Sequence, residues 1–182
     1  MSSHDIKSVL LIGGSGFLGL HLIEQFYKNN STTKISVFDV RPLPEKLSKQ
    51  FTFNPKNINF FKGDLTSADD VSKAIKESEA DVLVHSASPM HGVKTEIYQN
   101  VIVEGTENVL RFAKESGIKA FVYTSSAGVI FNGQDIHNAD ETWPIPDVPM
   151  DAYNETKAIA EGMVLKANDP KSNFYTIALR PA

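Results

Sequence analysis

The chain has 182 residues, of which 41% are hydrophobic and 22% charged, and its formal net charge is −4. This length and composition suffice for one domain around a single core, and the mild, mixed charge argues against a nucleic-acid-binding groove. The sequence contains no cysteine, which excludes disulfides, thiolate metal sites and a thiol nucleophile.

The opening residues 1–7 are polar, and no run along the chain approaches the roughly 20 apolar residues that a membrane span requires. We therefore expect a soluble polypeptide. Ser8–Ile12 is a short apolar run ended by glycine, which is typical of a strand buried on both faces of a parallel sheet. Phe17–Lys28 carries apolar residues at helical spacing, and Asn29-Asn30 is predicted to end this helix.

The same alternation of short apolar and amphipathic segments predicts the remaining elements. Further strands are predicted at 34–40 (ending at Asp39), 58–62, 81–85, 119–124 and 174–179. Further helices are predicted at 68–78, 95–116 and 151–168. Residues 132–150 are predicted to form a long loop. Strands that alternate with helices indicate right-handed crossovers, and hence an α/β fold with a doubly wound parallel sheet, the Rossmann fold.

Gly13, Gly16 and Gly19 recur every three residues between the first predicted strand and the first predicted helix. Glycine lets a backbone approach a pyrophosphate closely, and the free N–H groups at a helix start can bind it. A structural turn would explain an isolated glycine triplet, but the strand before it and the helix after it favour dinucleotide binding. The predicted cofactor contacts of this loop also include Ser15, Phe17 and Leu18.

Asp39 ends the second predicted strand, twenty residues beyond Gly19. A carboxylate there can accept hydrogen bonds from the adenosine ribose hydroxyls. This favours NAD, because the 2′-phosphate of NADP would be repelled by the carboxylate. Arg41 could offset part of that repulsion, so NADP stays open, as does a purely solvated role for Asp39.

Small and polar residues follow the later strands at the same predicted edge of the sheet. Asp64 could reach the adenine amino group while Leu65 packs on the ring, although an aspartate is also common in turns. Small residues that would let a cofactor lie close to the backbone are Ser86, Ala87 and Ser88.

Thr124, Ser125 and Ser126 close the fifth predicted strand, at the edge where such sheets bind ligands. A hydroxyl there can donate to a substrate oxygen or can simply cap the strand end. The sequence has no G-x-S-x-G elbow, which argues against a serine hydrolase. The histidines, at 4, 21, 85, 91 and 137, lack metal-ligand spacing, so no metal site is predicted.

Tyr153 and Lys157 lie four residues apart on a predicted helix, so that they share one face. A fixed cation beside a phenol favours the phenolate. The pair alone would also occur by chance as a half-buried ring beside a solvated amine. Together with the glycine loop and Ser126, it predicts nicotinamide-dependent redox chemistry on an alcohol or ketone.

These residues resemble the extended short-chain dehydrogenase/reductases, and within them the 3β-hydroxysteroid dehydrogenase group. The likeness rests on the glycine loop, Tyr123-Thr124-Ser125-Ser126, Tyr153-x-x-x-Lys157 and Leu179-Arg180-Pro181. It covers essentially the whole chain, so residues 1–182 are expected to form one NAD(P)-binding Rossmann domain. Relatives continue for roughly as many residues again, and the chain is therefore expected to stop before a C-terminal part that supplies much of the substrate pocket.

The resemblance implies a role for each matching residue. Tyr153 would be the general acid/base, Lys157 its electrostatic partner and nicotinamide-ribose ligand, and Ser126, rather than Ser125, the hydroxyl that orients the substrate oxygen. Asn100 would help to hold the lysine network or the nearby helix, unless its amide bonds only to backbone. The implied cofactor contacts also include Thr124 and Pro181. Ile12 departs from the family pattern, since many relatives carry threonine there.

The activity implied by this group is NAD(P)-dependent oxidation of the 3β-hydroxyl of a 4α-carboxysterol to the 3-ketone, with loss of CO2, in sterol C-4 demethylation. The resemblance also implies peripheral association with the cytosolic face of the endoplasmic reticulum membrane, contact with other C-4 demethylation enzymes, and a homodimer. Two alternatives stay open: a sugar-nucleotide epimerase or dehydratase of the same fold, and a non-catalytic dinucleotide-binding module.

Overall fold

A computed structural model describes residues 6–28 and 34–181. Six strands form one sheet in the order β3-β2-β1-β4-β5-β6, and every neighbouring pair is parallel. The strands are β1 (Ser8–Ile12), β2 (Lys34–Asp39), β3 (Asn59–Lys62), β4 (Val82–His85), β5 (Ala120–Thr124) and β6 (Tyr175–Leu179). The prediction of a doubly wound parallel sheet is confirmed. The predicted helix stop at Asn29-Asn30 and the histidine at position 4 lie outside the described residues.

Helices cover both faces of the sheet. The α-helices are α1 (Phe17–Lys28), α2 (Ala68–Ser78), α3 (Thr95–Tyr98), α4 (Gly105–Glu115) and α5 (Ala152–Lys166). A π-helical segment, Gln99–Glu104, joins α3 to α4, and short 3₁₀ turns lie at Pro55–Asn57, Ala127–Ile130 and Pro170–Ser172. The predicted loop 132–150 contains neither helix nor strand.

The central strand β1 is buried along its whole length because it packs against both helical layers. Successive side chains of a strand point to opposite faces of the sheet. Leu10 and Ile12 accordingly pack in the core beneath α2, α4 and α5, whereas Val9 and Leu11 pack in the smaller core beneath α1. An apolar run without alternation is therefore the expected sequence of this strand.

The sheet reverses its strand order between β1 and β4, and ligands of such sheets bind beside this switch point. Ile12 is in register with His85, so the loops that follow the two strands leave the sheet side by side. The Ser86 N–H donates to the Ile12 carbonyl at 2.9 Å, and the Gly13 N–H donates to the Phe38 carbonyl at 2.8 Å. The ends of three strands are thereby held together at one edge.

The prediction of a single α-helix at 95–116 is wrong in the middle of that range, where the wider turns of the π-helical segment Gln99–Glu104 interrupt the α-helix. The Gly105 N–H donates to the Asn100 carbonyl five residues earlier, instead of four. Ile102 and Val103 of this segment are both buried. Gly105 fits here because a Cβ at this position would lie 3.1 Å from the Leu65 Cβ.

Candidate active site

The glycine loop makes its turn through close backbone packing that side chains would block. Gly13 has φ of +83°, and a Cβ on it would lie 2.6 Å from the backbone of Ala87. A Cβ on Gly19 would lie 2.5 Å from the Gly13 carbonyl oxygen. The helix α1 begins directly after this turn, so its first N–H groups, which have no intrahelical acceptors, face the crevice end of the sheet.

Asp39 joins the glycine loop to the end of β2. One carboxylate oxygen accepts the Ser15 N–H at 3.0 Å and the other accepts the Arg41 N–H at 3.0 Å. The Ser15 hydroxyl in turn donates to the Arg41 carbonyl at 2.8 Å. The carboxylate is 9% exposed, so it lies at the floor of the crevice rather than in bulk solvent as an isolated strand-end residue would.

A cavity of about 430 Å³ extends along the carboxyl ends of the strands from Asp39 to Met90. The residues that line it are Ile12, Gly13, Gly16, Phe38, Asp39, Val40, Arg41, Gly63, Asp64, Leu65, Ser86, Ala87, Ser88, Pro89, Met90 and Val101. Many of the predicted cofactor contacts therefore meet in one space, which also has lining residues that the sequence analysis did not select. The bare backbone at Gly13 and the anionic floor fit the adenosine end of a dinucleotide.

Several predicted contacts have additional local partners. One oxygen of the Asp64 carboxylate accepts both the N–H and the hydroxyl of Thr66 at 2.9 Å, which leaves the second oxygen for a ligand. The Ser86 hydroxyl donates to the Ile12 carbonyl at 3.1 Å, and the Ser88 hydroxyl to the Pro89 carbonyl at 3.3 Å. Phe17 is 82% exposed and Leu18 40% exposed at the first turn of α1, outside the cavity lining.

The Tyr153 and Lys157 side chains share the inward face of α5. The Asp151 carboxylate caps this helix by accepting the Asn154 N–H at 2.8 Å, which sets Tyr153 in the first turn. The Lys157 ammonium lies 6.0 Å from the centre of the Tyr153 ring and donates to the Thr124 carbonyl at 2.9 Å. Lys157 is 2% exposed, and this burial lowers its pKa to about 8.

The two serines after β5 occupy different environments. Ser126 is partly exposed, and its hydroxyl oxygen accepts the Gly128 N–H at 3.0 Å, so its proton remains free to donate to another group. Ser125 is 3% exposed and its hydroxyl is enclosed in the interior. This difference supports the prediction of Ser126 over Ser125 as the hydroxyl that faces a ligand.

Two further predicted residues lie at the margins of the site. Asn100 is exposed on the π-helical segment, and the hydrogen bond described for the Lys157 ammonium goes to the Thr124 carbonyl instead. Pro181 lies close to the Ser126 turn in space, because the Pro181 carbonyl accepts the Ala127 N–H at 2.9 Å.

Two aromatic residues that the sequence analysis did not select pack against Tyr153. The His91 ring lies 4.5 Å from the Tyr153 ring, centre to centre, and the Tyr98 ring lies 5.8 Å from it. His91 lies in the stretch 87–92 after β4, but no spacing in the sequence assigned a role to either residue. The helical period of 95–98, which places Tyr98 on the buried face, was the one signal for it.

A group of buried polar side chains lies beneath the site. His85 Nε2 lies 3.1 Å from the Thr106 hydroxyl, and burial, together with the nearby Lys157 charge, lowers the pKa of His85 to about 3. The Lys157 ammonium lies 4.9 Å from the centre of the Tyr123 ring, a cation–π distance. Burial raises the pKa of the Tyr123 phenol. The neutral side chains of His85 and Tyr123 therefore lie beside the lysine charge.

Across residues 6–28 and 34–181, no cluster of three histidine, cysteine or acidic side chains is arranged to hold a metal ion. Within the same ranges, no helix has both the length and the apolar character needed to cross a membrane.

Comparison with known proteins gives consistent matches along this chain. The model of the 3-beta hydroxysteroid dehydrogenase/isomerase family matches residues 10–182. The sterol-4-alpha-carboxylate 3-dehydrogenase ERG26, decarboxylating, of Saccharomyces cerevisiae is 71% identical over 177 residues, which cover 97% of this chain and 51% of that protein. The sterol-4-alpha-carboxylate 3-dehydrogenase, decarboxylating, of Homo sapiens is 39% identical over 182 residues, which cover 100% of this chain and 45% of that protein.

Among solved structures, the UDP-glucose 4-epimerase of Thermus thermophilus in complex with NAD aligns with a TM-score of 0.74 and 26% identity, over 94% of this chain and 54% of that one. The chain spans about half the length of the curated relatives that it matches.

Proposed function

Because the chain belongs to the 3-beta hydroxysteroid dehydrogenase/isomerase family, we propose that it supplies the dinucleotide-binding domain and the reacting residues of a sterol-4α-carboxylate 3-dehydrogenase. Such an enzyme oxidises the 3β-hydroxyl of a 4α-carboxysterol to the 3-ketone, with loss of CO2, during sterol C-4 demethylation. The observations that support the proposal are the Lys157 ammonium 6.0 Å from the centre of the Tyr153 ring and, at the carboxyl ends of the strands, a cavity lined by Gly13 and Gly16.

NAD is the cofactor that this crevice fits best. The Asp39 carboxylate at its floor would accept hydrogen bonds from the ribose hydroxyls and would repel a 2′-phosphate. The start of α1 and the Gly13–Gly16 backbone would hold the pyrophosphate. When bound, the nicotinamide supplies the acceptor for the hydride that leaves C3 of the sterol. The remaining predicted contacts, with Thr124, Pro181, Phe17 and Leu18, belong to this proposal.

The chain's own residues would move the proton. Ser126 donates to the substrate oxygen and holds the 3β-hydroxyl beside Tyr153, whose phenolate takes its proton as the C3 hydride departs. The buried Lys157 charge favours that phenolate. The resulting ketone lies β to the carboxylate. When the C4–carboxyl bond breaks, its electron pair therefore forms the C3–C4 double bond of an enolate and the negative charge moves to the C3 oxygen. A proton taken up at C4 then gives the ketone product.

A sugar-nucleotide epimerase is the second candidate, because the solved epimerase has the same fold and contains a bound NAD. An epimerase returns the hydride within each cycle, whereas the proposed dehydrogenase releases NADH. The comparison of a 3β-hydroxy-4α-carboxysterol with a nucleotide sugar, with free NADH as the measured product, separates the two. The 71% identity to the yeast sterol enzyme favours the dehydrogenase.

The test of the proposed residues uses the full-length protein with Tyr153→Phe. We expect sterol oxidation to fall by about 10²- to 10⁴-fold while NAD still binds, because the aromatic ring remains and the hydroxyl that transfers the proton is lost. Tyr175→Phe, at a half-exposed tyrosine of β6, is the matched control and should retain full turnover. Retained turnover in Tyr153→Phe would show that the general base is another group. NAD binding without turnover of any alcohol in the unmutated protein would favour the non-catalytic module.

We further propose, on the family resemblance, peripheral association with the cytosolic face of the endoplasmic reticulum, contact with other C-4 demethylation enzymes, and a homodimer. Membrane fractionation, co-purification and sedimentation of the full-length protein test these three points. Recovery of a monomer in the soluble fraction would contradict them.

A further inference from the structure

The His91 side chain is placed beside the proposed general acid/base. Its ring and that of Tyr153 lie 4.5 Å apart, centre to centre, at an interplanar angle of 55°. His91 belongs to the loop that follows β4, is exposed to solvent, and is next in sequence to Met90 of the cavity lining. Its ring is therefore open to a ligand that reaches Tyr153.

The backbone on both sides of His91 is held in place by one buried side chain. The Tyr98 hydroxyl accepts the Gly92 N–H at 2.9 Å and donates to the Met90 carbonyl at 3.3 Å. Tyr98 is 5% exposed, and its ring also packs against Tyr153. Gly92, with φ of +84°, permits the turn that brings its N–H to this hydroxyl. The imidazole is thus presented by a fixed loop, which limits the entropy lost when it binds a ligand.

We infer that His91 binds the 4α-carboxylate of the substrate, next to the reacting hydroxyl. This inference rests on the proposed function, since C3 and C4 are adjacent ring carbons. A sterol whose 3β-hydroxyl bonds to Tyr153 must therefore place its carboxylate within one carbon of that contact. An imidazole offers an N–H donor in both of its protonation states, and a hydrogen bond to a carboxylate is charge-assisted.

The ammonium beside Tyr153 is already engaged, since Lys157 is buried and donates to the Thr124 carbonyl. Arg180 forms a two-pronged contact with both carboxylate oxygens of Glu161, at 2.6 to 3.1 Å, and its remaining Nη1 is enclosed in the interior. His91 is instead exposed and its ring contacts Tyr153, so its donors are open to an anionic group bound beside that phenol.

The contact should act mainly on substrate capture. A hydrogen bond to the carboxylate stabilises charge that must leave it when CO2 departs, so it assists binding more than the bond-breaking step. The expected signature is a loss in kcat/KM that comes largely from KM, and that appears with the carboxylated sterol rather than with a 3β-hydroxysterol that lacks the carboxylate.

The experiment measures kcat/KM for these two sterols in the full-length protein and takes their ratio. His91→Phe keeps a ring against Tyr153 but removes the donors, and should lower the ratio about ten- to a hundredfold. His91→Gln retains a donor and should keep most of the ratio. His21→Phe is the control, because it makes the same change at a histidine that packs on Phe51. The ratio should stay unchanged in this variant, since any effect on cofactor binding would alter kcat/KM for both sterols alike.

An unchanged ratio in His91→Phe, whether or not both activities fall, would overturn the inference and leave the proposed function intact. Turnover of neither sterol by the unmutated protein would overturn both. NAD affinity, measured by calorimetry on each variant, shows whether the crevice is still formed.

Discussion

The burial of Lys157 predicts a measurable dependence of stability on pH. Burial lowers its pKa from 10.5 to about 8, and the ammonium is 2% exposed, so solvent screening is weak. Between these two values the unfolded chain binds more protons than the folded one, and stability must rise with pH. Below about pH 8 the full penalty applies, because both states are then protonated.

The size of the effect follows from that pKa shift. Each pKa unit corresponds to about 1.4 kcal/mol, so Lys157 destabilises the folded state by about 3 kcal/mol at pH 7 and by about 1 kcal/mol at pH 10. Lys157→Met keeps the volume of the side chain and removes its titration. It also leaves the Thr124 carbonyl without its donor, which costs about 1 to 3 kcal/mol independently of pH.

The assay is urea unfolding of the unmutated and Lys157→Met proteins at several pH values from 7 to 10. The free energy of unfolding of the unmutated protein, relative to the variant, should rise by about 2 to 3 kcal/mol across this range. Subtraction removes the contribution of the titrating groups that do not interact with Lys157. A difference that stays flat would refute the depressed pKa, and with it the argument that a poorly solvated cation acts on Tyr153.

Two further predictions concern stability and cofactor binding. Gly13→Ala should lower the free energy of unfolding by about 1 to 3 kcal/mol and weaken NAD binding in calorimetry, because φ is +83° and the new Cβ would meet the Ala87 backbone. Gly162→Ala, in open space on α5, should instead stabilise the protein by about 0.5 to 1 kcal/mol, and equal losses in both variants would contradict this reasoning. Glu24 is buried, and although burial opposes its ionisation, its hydrogen bonds to Lys28, Thr52 and Phe53 hold its pKa at about 2. The contribution of Glu24 to stability is therefore present above about pH 4.5 and is lost as the pH falls towards 2. In thermal unfolding, the melting temperature of Glu24→Gln should consequently fall less over this pH range than that of the unmutated protein.

The sheet could be predicted from the sequence because its strands are short and largely apolar, and five of the six end at or run into a glycine, an acidic residue or a hydroxyl, whereas β6 runs into Arg180-Pro181. The bounds of β1 and α1 agree with the prediction at every residue. These signals are local, since they depend on side-chain periodicity and on turn residues. The long helix was predicted wrongly because a π turn adds one residue without a break in composition.

The candidate site was predictable where it depends on spacing within one element and unpredictable where it depends on contact between elements. Tyr153 and Lys157 share a helix face through their spacing alone. The approach of His91 to Tyr153 depends on a loop after β4, and its position is set by the hydroxyl of Tyr98. No local pattern encodes such a contact between segments more than fifty residues apart in sequence.

The π-helical segment takes up one residue more than an α-helical turn while α3 and α4 keep their faces on the core. Deletion of one residue within Gln99–Glu104 would therefore restore the four-residue hydrogen-bond ladder and leave Tyr98 on the same face as before. The same deletion within α4, which has no extra residue to lose, would turn everything before it by about 100°. Tyr98 would then leave the Met90 and Gly92 backbone to which its hydroxyl bonds, so Gln99–Glu104 is the part of this helix that tolerates a change of length.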